Sequence, residues 1–278
     1  MAKHIKAKKW LGQHFLTDKS ICARIGALVP AEGNGAALVE VGPGEGALTE
    51  HLPTAGYRGL YLMDVDAESV AVLQQRYAAE PYHVQLADFL QADLAQTGNG
   101  PVVVAGNFPY NISSQIFFKV LADYDRIPTV VCMVQREVAR RIASGPGNKE
   151  YGILSVLLQL WYDIKYAFTV KPGSFLPPPK VDSGVIVLTR NGRQSADLPV
   201  PHAFFQHVVK AAFNQRRKML RNALGSLGIA LDDGVPHLDS RAEQLSVAAF
   251  IDLAVALYAR RTAGAALPPI APEDTDLL

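Results

Sequence analysis

The chain has 278 residues, 49% of them hydrophobic, which suits one large domain, or one large and one small, with an ample core. No apolar run reaches membrane-spanning length, and no apolar secretory segment follows the basic N-terminus. A net charge of +1 gives no hint of nucleic acid by itself, and Cys22 and Cys132 form neither a CxxC pair, a disulfide framework nor a zinc cluster, so a reducing, cytoplasmic setting is expected.

There is no internal repeat. Charge is local: Lys3, Lys6, Lys8 and Lys9 precede the first acidic residue, Asp18; Arg136, Arg140 and Arg141 form a second cluster; Arg216, Arg217, Lys218 and Arg221 form a third. Any one of them reads as a solvated face, but three together suggest an anionic partner.

After the mixed segment 10–16, Thr17 or Asp18 is placed to cap a helix through Ile21, Ile25 and Leu28. Residues 37–42 read as a strand entering a glycine turn, Gly42-Pro43-Gly44-Glu45-Gly46, with a helix starting over 47–52. Strand, glycine turn and helix form a nucleotide-type crevice. A second strand, 59–63, ends at Asp64, about 20 residues past the turn, where an acid typically binds ribose hydroxyls. A helix over about 67–79 follows, then a strand over 82–86 ending near Asp88, an acceptor suited to an adenine amino group. The apolar run 102–106 is a fourth buried strand. A helix is expected over 113–121, a fifth strand over 129–134, a basic helix from Arg136, and a helix over 151–160. Residues 164–170 and 181–188 read as a closing antiparallel pair around a proline-rich stretch, 171–179. Residues 191–200 are a polar linker, with helices beyond it over 203–213, 217–227 and 246–259, and a frayed Ala/Pro-rich, acidic tail after about Thr262.

The fourth strand runs into Asn107-Phe108-Pro109-Tyr110, at the edge where open α/β sheets hold ligands. These residue types suit methylation of an amino group on a flat base. Such a nitrogen is a poor nucleophile because its lone pair is delocalised into the ring, and two acceptors on its N–H bonds would restore it. The Asn107 side-chain carbonyl supplies one acceptor and a main-chain carbonyl around Phe108-Pro109 the other, with Pro109 restricting the turn. Tyr110 offers a stacking face, on the order of 1–3 kcal/mol per base. By itself the tetrapeptide also reads as a strand-end turn with core aromatics. Gly42, Gly44 and Ala47 also fit the dinucleotide pattern G-x-G-x-x-G/A with Asp64 as its acid, so a nicotinamide dehydrogenase is the rival reading of the first half. Such an enzyme needs neither the Asn107 motif nor a basic helical appendage. Glu40 reads either as a contact to the ligand's amino acid part or as a capping carboxylate, and His51 and His83 as surface or core residues.

With these pieces assembled, the sequence resembles the KsgA (RsmA) family of small-subunit ribosomal RNA adenine dimethyltransferases, from about Lys8 to Leu257. The likeness rests on residues 11–16 (LGQHFL), 39–44 (VEVGPG), 106–113 (GNFPYNIS), 135–138 (QREV), 175–183 (FLPPPKVDS) and 213–218 (FNQRRK). It implies an α/β, Rossmann-like S-adenosylmethionine-dependent methyltransferase domain over 1–190 and a small all-helical RNA-binding domain over 191–278. It implies S-adenosylmethionine as methyl donor with no metal, and dimethylation of N6 on two adjacent adenosines in the 3′-terminal stem-loop of small-subunit (16S) RNA. The partner would be an assembling small subunit, and nothing demands more than a monomer. By this likeness Gln13, His14 and Leu16 close over the donor, Gly42 and Gly44 form its turn, Asp64 binds its ribose and Asp88 reads its adenine. Asn107, with Pro109, binds the target N6 beside the donor, and Tyr110 and Phe175 sandwich the base. Lys8, Lys9, Arg136, Arg216, Arg217, Lys218 and Arg221 are the expected RNA contacts. His14 stands where the family usually has Asn, Phe108 where it has Leu, and Asp64 where Glu is more frequent. A related enzyme acting on large-subunit RNA or DNA adenines, and a non-catalytic assembly or transcription factor on the same scaffold, are the alternatives.

Overall fold

The computed structural model describes residues 5–263. Lys3 and the tail beyond residue 263 therefore lie outside the described residues. The chain divides into two compact units, Met1–Arg140 with Asp163–Arg190, and Arg141–Tyr162 with Asn191–Leu278. Residues 141–162, which the sequence assigns to the first domain, thus belong with the second.

The first unit is built on a seven-stranded sheet. After a two-residue strand β1 (Phe15–Leu16) and helix α1 (Lys19–Gly26) come β2 (Ala37–Val41), β3 (Gly59–Asp64), α2 (Ala67–Arg76), β4 (Tyr82–Leu86), β5 (Val102–Asn107), α3 (Ser113–Ala122), β6 (Thr129–Gln135) and α4 (Arg136–Ala143). The later α5 (Ile153–Gln159), β7 (Tyr162–Val170), β8 (Phe175–Leu176) and β9 (Ser183–Arg190) complete the series up to the linker. The strand order is β4-β3-β2-β5-β6-β9-β7, with β1 and β8 forming a separate antiparallel pair. Strands β4 to β6 are mutually parallel, and β9 returns antiparallel to β6. All five residues of β2 are buried, as expected for a parallel strand covered on both faces.

The chain leaves β2 towards β3 and β4, then returns to its other side for β5 and β6, so the topological switch lies between β2 and β5. Register sets what meets there. Ala37 pairs with Gly59 and with Val102, and Asp64 with Leu86. The C-terminal ends of β2, β3 and β5 therefore deliver the glycine turn, Asp64 and Asn107 to one edge, where open sheets bind ligands.

Helix starts follow capping chemistry. Asp18 accepts from the backbone N–H of Ser20 and Ile21, and Asp66 accepts from that of Glu68. The helix expected over 47–52 is only a 3-10 turn, Thr49–His51. Leu52, which precedes Pro53, is extended (ψ 138°), and a residue before proline is driven out of the helical region.

The second unit is helical. Helices α6 (His202–Asn214), α7 (Leu220–Ala223) and α8 (Val247–Ala263) join α5. Phe213 stacks on Phe250 (5.9 Å) and meets Tyr151 edge-on (6.2 Å), which centres the core of this unit. The helix expected over 217–227 shrinks to α7 and a 3-10 turn, Leu224–Leu227, because Met219 is extended and bridges to Arg241. Arg216, Arg217 and Lys218 thus lie in the turn that follows α6. Among the described residues no helix is long and apolar enough to cross a membrane, and no group of His, Cys, Asp and Glu is arranged to hold a metal ion.

Candidate active site

A cavity of about 410 Å³ opens at the switch point, entirely within the first unit, and its size falls in the range of small-molecule sites. Its walls include the glycine turn, Glu40, Asp64, the Asn107–Tyr110 motif, the strap of residues 11–17, and Leu176 with Pro177.

The turn is shaped by Gly42 and Gly44, both left-handed (φ 67° and 57°). At Gly44 there is no room for a side chain: a Cβ would lie 2.9 Å from the Phe15 ring. The Gly44 N–H donates to Asp64 Oδ2 at 3.1 Å, while Asp64 Oδ1 accepts from the Asp66 N–H at 2.9 Å. Asp64 is 7% exposed, and burial pushes its carboxyl above the ordinary range despite these bonds. Glu40 is buried more deeply, and its Oε2 accepts from Thr49 Oγ1 at 2.6 Å. Burial raises its carboxyl to about 8, against which the Thr49 bond works only partly. Glu40 therefore both accepts from the Thr49 hydroxyl and lines the cavity.

Asn107 is the last residue of β5 and is split between two tasks. Its Nδ2 donates to the main-chain carbonyl of His14 at 2.9 Å. Its Oδ1 is buried and has no hydrogen-bond partner among the described residues. A buried, unsatisfied carbonyl is costly, on the order of 1–3 kcal/mol, and so calls for a ligand that donates to it. Tyr110 OH bonds Ser183 Oγ, burial holds its phenol above the ordinary range, and its ring lies 5.6 Å from that of His14.

The strap is pinned at both ends. Gln13 Oε1 accepts from the Lys8 N–H (2.8 Å) and Nε2 donates to Asp66 Oδ2 (2.9 Å), while Lys8 Nζ pairs with Asp66 Oδ1 and reaches Glu68 at 3.4 Å. Burial pushes the Asp66 carboxyl up, but the bonds from Lys8 and Gln13 outweigh it and leave it below the usual range. His14 Nδ1 bonds the Pro177 carbonyl (2.8 Å), and Leu16 pairs with Phe175 across β1 and β8. The sequence missed Asp66, although an acid directly before an apolar-periodic run is the ordinary signal of a helix cap. It also missed Ser183, Leu176 and Pro177, whose places depend on long-range contacts.

Two expected contacts sit elsewhere. Phe175 is 4% exposed and belongs to the core cluster with Leu16, Val170 and Val185; Leu176 and Pro177 line the cavity instead. Asp88 is exposed, accepts from the Leu90 N–H at 2.9 Å as the cap of its own turn, and is not among the cavity's walls. The histidines set aside are placed as structural groups: His83 is exposed and stacks on Tyr61 (4.4 Å), and His51 is half-buried in the 3-10 turn.

The basic candidates divide. Arg136 and Lys171 share Asp182 Oδ2 (2.8 and 2.9 Å), which holds that carboxyl below the usual range, Lys171 most strongly. Arg216 is tied to Glu243 (2.8 Å) and to the Lys149 carbonyl, and Arg221 to Asp239. Lys9, Arg217 and Lys218 are exposed, with no ion pair among the described residues.

The residues present fit S-adenosylmethionine. The glycine turn presents bare backbone to the cavity, carboxyls line it at Asp64 and Glu40, and Asn107 in its wall carries an unsatisfied carbonyl. A sequence model described as ribosomal RNA adenine dimethylase matches residues 4–255. A protein of Cytophaga hutchinsonii named ribosomal RNA small subunit methyltransferase A is 48% identical over 250 residues, covering 90% of this chain and 96% of its own. A protein of the same name from Parabacteroides distasonis is 47% identical over 251 residues, covering 90% and 93%. Among solved structures, a dimethyladenosine transferase from Plasmodium falciparum superposes with a TM-score of 0.74 at 20% identity, over 89% of this chain and 98% of that one. The 23S rRNA methyltransferase ErmE gives 0.65 at 23%, over 88% and 99%, a likeness of fold. The chain belongs to the ribosomal RNA adenine dimethylase family, the S-adenosylmethionine-dependent rRNA adenine dimethyltransferases.

Proposed function

We propose that the protein dimethylates N6 of two adjacent adenosines in the 3′-terminal stem-loop of small-subunit RNA, within an assembling small subunit, acting as a monomer in the cytoplasm. The observation that carries this reading is Asn107 Oδ1, buried and unpartnered while the same side chain's Nδ2 is committed to His14. In this reading that oxygen accepts one N6 hydrogen. The Pro109 carbonyl already accepts from the Ile112 N–H (3.3 Å), so the Phe108 carbonyl is the candidate for the second. Two acceptors localise the amine's lone pair, and Tyr110 supplies a face for the ring.

S-adenosylmethionine supplies an already activated methyl group when bound, held by the glycine turn, Asp64 and Glu40. The chain's own contribution is then alignment of the amine, an effect that can reach roughly 7–11 kcal/mol. No histidine or lysine lies in the Asn107 motif. Its absence is consistent with an alkylated amine that sheds its proton to water without a strong base. The target must leave its stack, at a cost of a few kcal/mol that is least in a loop. The exposed Arg217 and Lys218 are the RNA contacts this reading favours most, since their side chains are not spent on internal carboxylates.

The test is incubation of the protein with labelled donor and immature small subunits, followed by mapping of methylated adenines. Wild-type protein should label two neighbouring adenosines. Asn107→Ala should lower the rate about 10²–10³-fold, by analogy with loss of one group that stabilises a transition state, with donor affinity changed only a few-fold. Near-normal turnover in that variant would remove Asn107 from its role, and wild-type transfer to no adenine would remove the function.

A further inference from the structure

Trp10 has no structural reason to be where it is. Its side chain is 76% exposed, the largest exposure among the large hydrophobic side chains of the described residues. It sits on a 3-10 turn, Lys9–Leu11, in which no residue is buried, so the turn adds nothing to the core. An indole left in water forgoes the burial that makes tryptophan favourable in a fold.

Its neighbours place it beside the catalytic motif. Leu11 and Gly12, the next two residues, both line the cavity. Gly12 lies directly against Asn111, the residue after Tyr110: a Cβ there would stand 2.5 Å from Asn111 Oδ1. Consecutive Cα atoms are about 3.8 Å apart, so the Trp10 backbone is held within about 8 Å of that contact. Lys9, the residue before it, is exposed. An exposed aromatic beside a cation, next in the chain to residues that line a base-sized cavity, is the pairing with which proteins hold unpaired nucleotides.

We propose that Trp10 is a stacking platform for the nucleobase adjacent to the adenosine in the Asn107 site. This rests on the target reading above. When one of two neighbouring adenosines enters the cavity, the other loses a stacking partner, and the indole replaces it. The same platform would hold the first, already methylated base while the second is presented, so both modifications use one grip on the strand.

The sequence has two tryptophans, and Trp161 is wholly buried, so an aqueous quencher reads Trp10 alone. Iodide quenching is followed with and without a short loop RNA carrying two adjacent adenosines, and RNA affinity is measured for wild type and Trp10→Ala. The same is done with RNA abasic at the neighbour of the target. Two results are expected: protection of the indole in the complex, and a loss of affinity in Trp10→Ala of about 5- to 100-fold that the abasic RNA reproduces and does not compound. Trp10→Phe, which keeps an aromatic face, should retain most of the affinity. Continued quenching in the complex, wild-type affinity in Trp10→Ala, or additive losses would each overturn the proposal. Donor affinity, measured separately, confirms that the strap is folded in each variant. Transfer of label to small subunits by the wild type reports on the target reading independently: no transfer sinks that reading, whereas transfer with an unprotected indole sinks only the platform.

Discussion

Glu40→Gln tests the electrostatics of the cavity floor. Glu40 is 1% exposed, and its carboxyl rises from 4.5 to about 8 because burial penalises its charged form. Between those two values the folded protein keeps a proton that the unfolded chain has shed. Stability therefore falls as pH rises through that window, and the loss is complete above about pH 8. The shift is about 3.5 units, and at about 1.4 kcal/mol per unit its ceiling is about 5 kcal/mol. Gln keeps an oxygen for the Thr49 hydroxyl but has no proton to lose. Urea unfolding of both proteins, from pH 5 to pH 9, should then give a stability difference that moves steadily in favour of the variant as pH rises. Subtraction removes the groups that do not interact with Glu40; Asp64, whose charge contributes to the rise at Glu40, is not among them. A difference that stays flat across the range would refute a protonated Glu40. A cation bound beside this carboxyl favours its ionised form, so donor binding near pH 7 should also release protons, seen as calorimetric heats that depend on the buffer.

Gly44→Ala should weaken donor binding at least tenfold by calorimetry and cost about 1–2 kcal/mol in stability, because φ 57° is left-handed and the new Cβ meets Phe15; wild-type donor affinity would show that the turn does not cradle the ligand. Arg217→Glu with Lys218→Glu should weaken RNA binding and flatten its dependence on log salt by about two charges' worth, with donor affinity unchanged, as read by filter binding across salt concentrations. An unchanged slope would remove that turn from the RNA interface.

The sheet was legible because its signals are local. Runs such as 102–106 and 129–134 are apolar throughout, which marks strands buried on both faces, and a glycine turn after the first of the parallel strands fixed the binding edge. Asn107 and Asp64 could be placed because register follows from strand ends. What failed depended on distant partners, except at Pro53, a local stop signal that the sequence reading passed over. Residues 47–52 have helical composition but are stopped by Pro53, and 217–227 is interrupted by the bridge from Met219 to Arg241. The strands β1 and β8 have two residues each, too few for any periodicity, yet their pairing decides that Phe175 faces the core and Leu176 is left exposed. Arg216 and Arg221 look like Arg217 and Lys218 in sequence, and only the fold brings Glu243 and Asp239 to the first two.

The two halves of the Asn107 amide explain why the strap and the catalytic motif belong to one device. The strap's His14 carbonyl takes Nδ2, and this bond fixes which way Oδ1 points. The strap in turn is held through Gln13 and Lys8 to Asp66, and Asp66 caps α2 while its N–H bonds the Asp64 carboxylate on the donor side. A displacement of the strap is therefore felt at the carbonyl proposed to accept from the amine and at the carboxylate expected to hold the donor. Three near replacements show what the amide contributes. Ionised aspartate would set a second oxygen against the His14 carbonyl, serine must donate and accept through one atom on a shorter arm, and glutamine offers the same groups one methylene too far along. On the proposed role, the amide donates to the strap and accepts from the base through a single rigid plane.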